Sequence, residues 1–363
     1  MDGAHGVPGG RHRMRPHLRG RARPADRRLE RAFVANVLDI GTAPKRRDIL
    51  LYGAIFLVGA AFAWFSAFRV ADLPFLGPWD FQWSWYLAAT LFSFWYGRGL
   101  ARTPADERPA SWRTAVYFVG IGAIYFVLQT RFDYLAQHMF FLNRAQHVVM
   151  HHLGPFLIAL AWPGPTLARG MPERLVRVAS ARSVRRILAV VQQPVLAGVL
   201  FVGLIVLWLI PSVHFRAMID PRLYLFMNWT MVLDGILFWC LVLDPRPAPP
   251  ATCSFAARMM TAVIVMFPQI AIGALIAFAT SDVYSFYAWC GRIFPGIGAL
   301  DDQQFGGLIV WIPAAMMSVV ALLLIVNALR LNDERSERQE DGNDDDGTEG
   351  VVVSSASWTG GRP

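Results

Sequence analysis

The sequence predicts an all-α, polytopic integral membrane bundle of about seven to eight transmembrane helices, and three observations point to it. First, 55% of the 363 residues are hydrophobic and only 17% charged, whereas a soluble domain carries about 25% charged residues. Second, the apolar residues gather into runs close to the roughly 20 residues needed to span about 30 Å of hydrocarbon. Third, the arginines behind the net charge of +8 fall between those runs. That placement reads as topology signalling, not as the basic face of a nucleic-acid binder.

The elements follow in order. Residues 1–47 are rich in Arg, Gly, Pro and His and read as a basic, disordered cytoplasmic extension. The transmembrane domain, 48–330, holds apolar segments at approximately 49–68, 81–97, 112–130, 144–162, 187–210, 223–243, 256–279 and 306–329. The fourth is interrupted by His147, His151, His152 and Pro155. Aromatic residues such as Trp83, Trp85, Trp112 and Tyr224 cluster near segment ends, as interface anchors do. From 331 to 363 the chain turns highly charged and then Gly/Ser-rich, which reads as a disordered cytoplasmic tail.

Connections alternate in charge. Lys45, Arg46 and Arg47 precede the first run, four arginines from Arg98 to Arg113 follow the second, and six from Arg169 to Arg186 follow the fourth. The stretches 69–80, 131–143, 211–222 and 280–305 hold one or two arginines each. By the positive-inside rule both termini are cytoplasmic and the poorer loops face the periplasm, in a bacterial inner membrane.

On that topology the unusual polarity gathers toward the outer face: His138, His147, His151, His152, His214 and the run ALDDQQFGG at 299–307. Ionisable groups in a membrane segment are costly and need a reason. On an α-helix His147 and His151 share a face at i, i+4, so two imidazoles can meet one ion, whereas His152 is rotated by about 100° and looks elsewhere. Pro155 lacks an N–H and frees the carbonyl of His151. The HExxH zinc-hydrolase pattern uses the same pair, but its glutamate is Val148 here, so no catalytic base is evident. The pair can bind metal or haem, or it packs as hydrogen-bonded structure. Thioethers at Met139, Met150, Met218, Met227 and Met231, with imidazoles, favour Cu(I) over hard cations, although methionine is also ordinary filler. Asp234, inside the sixth run, needs a partner or a proton. Asp301, Asp302, Gln303 and Gln304 have helix capping as their simplest role, and Gln192, Gln193 and Gln269 interhelical hydrogen bonding. The three cysteines, Cys240, Cys253 and Cys290, are too scattered for a disulfide scaffold or a cysteine metal motif.

Three ordered blocks carry a family resemblance: QHVVMHHLGPFLIALAWPG from Gln146, DGILFWCLVLDP from Asp234, and LDDQQFGGLIVWIP from Leu300. They resemble, in turn, the His-x-x-x-His helix, the Gly-x-x-Phe-Trp segment and the Asp-Gln-Gln-x-x-Gly-Leu-x-x-Trp element of CtaG-like cytochrome c oxidase assembly factors. The resemblance covers most of the membrane domain and neither tail. It implies a non-enzymatic membrane factor that helps build haem–copper oxidase, with oxidase subunits and the lipid bilayer as partners and copper as the handled ion. His147 and His151 would then be ligands, with His138, His152 or the Asp301–Gln304 loop contributing. The chain departs from the pattern at His152, where relatives carry an apolar residue, and at Asn228, where they carry a histidine. His152 and Asp234 are the candidates to compensate. Two other readings stay open: a metal-free scaffold that docks oxidase subunits, and a haem-binding redox protein.

Overall fold

The computed structural model describes the backbone of residues 46–348 and the side chains of residues 48–339. All regular structure among them is helical, and no strand occurs. The expected 1–47 extension lies outside the described residues apart from Arg46 and Arg47, which open the first helix.

Helix α1 (Arg46–Phe68) is held to α2 (Trp83–Arg102) by Tyr86 Oη donating to the Ile55 carbonyl and Trp95 Nε1 donating to Tyr52 Oη. A stacked Tyr96–Tyr117 pair, centroids 4.0 Å apart, joins α2 to the returning α3 (Ser111–Gln129). The Gln129 side chain closes that hairpin through Gln82: its Nε2 donates to the Gln82 carbonyl and its Oε1 accepts from the Gln82 N–H. The short α4 (Arg131–Ala136) precedes the histidine-bearing segment, which comes as α5 (Phe140–His147), a π turn (Val148–Leu153) and α6 (Gly154–Ala161). Three short helices then carry the arginine-rich connection: α7 (Gly164–Gly170), α8 (Glu173–Ala179) and α9 (Arg182–Val191). At Pro194 the chain turns by 73° from α9 into α10 (Pro194–Leu209). Next come α11 (Pro211–Ile219), α12 (Pro221–Val242), α13 (Phe255–Ala277), α14 (Phe286–Cys290) and α15 (Ala299–Thr348).

Among the described residues five helices are long and apolar enough to cross a membrane: α1, α3, α12, α13 and α15, or six if the bent α9–α10 pair is one span. This is fewer than the seven to eight expected. The second expected span, α2, reaches 20 residues but carries Ser84, Ser93, Tyr96, Arg98 and Arg102. The fourth is cut into two eight-residue helices by the π turn. A further difference lies at the end of the chain. Helix α15 continues to Thr348, through residues expected to be disordered from 331 onward. The run ERSERQE at 334–340 supplies good helix formers, and the i, i+4 pair Arg330–Glu334, at 3.6 Å, supports the first turn past the expected boundary.

The polarity of the bundle is that of a protein solvated by lipid. Large apolar side chains stand outward, such as Leu57 at 69%, Leu275 at 76% and Phe278 at 77% exposure, while Arg98, Arg144, Asp133 and the histidines of the π turn are buried. The arginine-poor loops meet at one end, where Tyr224 bonds Asp133, His214 bonds Tyr287 and Asp302 bonds Phe140. The arginine-rich loops meet at the other. There Arg98 pairs with Asp48 at 2.8 Å and donates to the Gly170 carbonyl, and Arg169 pairs with Glu107.

Candidate functional site

The centre of the site is the π turn. Its i→i+5 hydrogen bonding inserts one residue into the turn, so residues five apart come to share a face. This overturns the expectation for His152. His147, His151 and His152 all line one cavity of about 20 Å³, with Arg144, Met231 and Trp208 also in its wall. Pro155 sits just past the turn and has no N–H to return to the His151 carbonyl, so the extra residue has its place there.

Two of the imidazoles are oriented from behind. His151 Nε2 donates to Asp234 Oδ2 at 3.0 Å, and His152 Nε2 donates to Gln269 Oε1 at 2.8 Å. Gln269 is itself fixed by donating to the Val265 carbonyl at 2.9 Å. Each bond assigns the proton to Nε2 and leaves Nδ1 as a lone pair, and neither Nδ1 has a partner. Both ring nitrogens of His147 are buried and unpartnered as well. Phe201 stacks on His151 at 4.2 Å and on Phe238 at 3.8 Å, which fixes the ring plane. Gly235 lets α12 close on the π turn, since a Cβ there would run into the His151 carbonyl and reach Pro155 Cγ at 3.0 Å.

Arg144, one turn before His147, has no place in the sequence reading, yet it is 2% exposed and in the cavity wall. It donates to the neighbouring Asn143 Oδ1 and lies 5.1 Å from the Phe140 ring centroid. Its signal was available: an arginine at the head of an apolar run.

The DDQQFGG run proves structural in several parts. Asp302, fully buried, does not cap its own helix. Its carboxylate accepts from the Phe140 and Phe141 N–H groups at 3.0 and 2.9 Å, so it caps α5, and Arg292 Nε approaches it at 3.3 Å. Gln303 accepts from the Val283 N–H and donates to the Ser281 carbonyl, which secures the preceding loop. Asp301 accepts from the Gly298 N–H at its own helix start, the expected capping role, and Gln304 is exposed. Gly306 leaves room for the Phe140 ring, and Gly307 sits on α13, where a Cβ would lie 2.7 Å from the Gly273 carbonyl.

The remaining residues stand apart from the cavity. His138 donates from Nδ1 to the Tyr134 carbonyl at 2.8 Å. His214 is satisfied at both nitrogens, by the Trp208 carbonyl and the Tyr287 hydroxyl. Asn228 is buried with an unpartnered Oδ1. Gln192 donates across helices to the Leu237 carbonyl, whereas Gln193 instead caps α10 by accepting from the Leu196 N–H. A second polar centre, missed in the sequence, surrounds Asp133 on the short helix α4 before α5. Tyr224, Gln146 and Gln137 all donate to its carboxylate, at 2.7, 2.6 and 2.9 Å. Burial pushes this carboxyl up to about 6, although the three hydrogen bonds pull the other way. Among the described residues no three His, Cys, Asp or Glu side chains converge closely enough to hold a metal ion.

These features define a helical membrane protein with a buried, imidazole-lined site in its interior. Residues 94–330 match the cytochrome c oxidase caa3 assembly factor family (Caa3_CtaG), and the chain belongs to that family. No curated protein and no solved structure matches the chain. The matched region contains all three motif blocks, and they meet in space: Asp234 and Gly235 touch His151, and Asp302 caps the helix that carries His147.

Proposed function

We propose that the chain serves assembly of the haem–copper oxidase by handling Cu(I) as cargo at the π turn, without catalysing a reaction itself. One observation carries this: two imidazoles have Nε2–H held by Asp234 and Gln269 and an unpartnered Nδ1, and both rings line a cavity that His147 and Met231 share. Metal-ligating histidines are usually oriented in this way by an outer hydrogen bond, and imidazole with thioether suits Cu(I). The Arg144 charge nearby disfavours a permanently held cation, which fits hand-over better than storage. In this reading the arginine-rich end faces the cytoplasm of a bacterial inner membrane with both termini, and oxidase subunits would dock at the opposite, periplasmic end.

The test is copper analysis of detergent-purified protein loaded with Cu(I), together with oxidase activity in cells carrying the variant. Wild type should hold close to one copper, and His147→Ala with His151→Ala should lose both copper and oxidase maturation. Normal oxidase activity in the double variant sinks the ligand assignment. A metal-free scaffold is the second reading, and the absence of three converging ligand groups among the described residues favours it. Oxidase subunits co-purifying with the double variant, and no copper in the wild type, would decide for it. A cavity of about 20 Å³ gives no support to a haem site.

A further inference from the structure

Arg144 presents a charge problem that the copper reading does not resolve. The side chain is 2% exposed, and its only hydrogen bond among the described residues goes to the neutral Asn143 amide oxygen. Its Nε–H has no partner. Among the described residues no carboxylate lies within ion-pair distance of it, because the nearby acids are committed elsewhere. Asp302 is taken by two backbone N–H groups and Arg292, Asp133 by Tyr224 and two glutamines, and Asp234 by His151. A buried guanidinium with no counter-charge carries a large desolvation cost. Beside it stands His147 with both ring nitrogens free, one of which is an N–H in either neutral tautomer. Val148, Ile205 and Val310 complete an apolar wall.

We propose that this cavity is a binding site for a small monovalent anion of the halide class, held between the Arg144 guanidinium and the His147 ring. The volume of about 20 Å³ sets the class. It accommodates one water-sized species, so chloride or bromide fits while phosphate and carboxylates do not. A lone water would fill the space but leave the guanidinium uncompensated. The proposal does not rest on the copper reading, although an anion here would lower the charge that a cation meets at the neighbouring imidazoles.

Chloride binding to the full-length, chelator-treated protein in lipid nanodiscs tests this, read as broadening of the chlorine NMR line at constant ionic strength in gluconate. Wild type should broaden the line saturably, with bromide but not sulfate reversing it. Arg144→Gln should weaken apparent affinity by about tenfold or more, the effect of losing a charge-assisted hydrogen bond. Arg144→Lys should retain binding, as should Arg216→Gln, which removes an exposed arginine. Absence of saturable broadening in wild type, reversal by sulfate as well as by bromide, or equal broadening in Arg144→Gln would overturn the site. If Arg144→Gln does not fold, the bromide-against-sulfate selectivity of wild type decides. Because the protein is metal-free throughout, failure of copper binding and failure of halide binding are separate results.

Discussion

At the scale of single residues, burial decides what each polar group can do. Asp133 has three hydrogen-bond donors and no cation, and its carboxyl is shifted up to about 6 from 3.8. The folded state therefore prefers the protonated form. Its contribution to stability is fully present below about pH 3.8 and is lost as the pH rises through about 6. The shift corresponds to roughly 3 kcal/mol across that window. Asp133→Asn keeps the shape and removes the titration. The difference in thermal midpoint between variant and wild type should thus grow in favour of the variant from pH 4 to pH 7, and a constant difference would count against the assignment. Residues of this kind were only partly legible in the sequence. His147, His151 and Asp234 announced themselves by standing in apolar runs. Asp133 did not, because it lies in a connection where an acidic residue needs no explanation until its burial is known.

At the scale of elements, the informative events are the π turn and a cap supplied from afar. Helical periodicity of 3.6 residues separates His152 from its neighbours. The π turn reunites them, and nothing in the residue types alone marks a π turn, apart from Pro155 following it. Likewise the DDQQ run was readable as a capping sequence, but a cap can serve a helix other than its own. The two aspartates give a direct comparison. Asp302→Ala removes the acceptor for two α5 N–H groups and should cost about 1–2 kcal/mol, the upper range for a lost N-cap. Asp301→Ala removes one exposed bond at the start of α15 and should cost about 0.5 kcal/mol. Urea or thermal unfolding of both variants in mild detergent measures the difference. Equal losses would mean that the long-range cap contributes nothing special.

At the scale of the whole molecule, the fold class was the most legible feature, because composition averages over many residues. The span count was less so: hydropathy runs do not reveal that a segment breaks in the middle or bends at a proline. The proposed orientation can be checked with cysteines the chain already has. Cys290 lies in the loop between α13 and α15, and Cys253 in the connection between α12 and α13, which carries Arg246, both as free thiols of intermediate exposure. A membrane-impermeant maleimide should label Cys290 in intact spheroplasts and Cys253 only after permeabilisation. The opposite pattern would invert the molecule.

The cap on α5 also has a consequence in time. Asp302 follows Phe140 by 162 positions, so the histidine segment leaves the ribosome long before its cap has been translated. All three cavity histidines are present in a nascent chain that stops short of α15, yet the helix that carries His147 and leads into the π turn lacks its anchor. Completion of the last helix is thus a condition for completion of the first working part. A prematurely ended chain would hold every imidazole of the site and still lack the acceptor for the first N–H groups of α5.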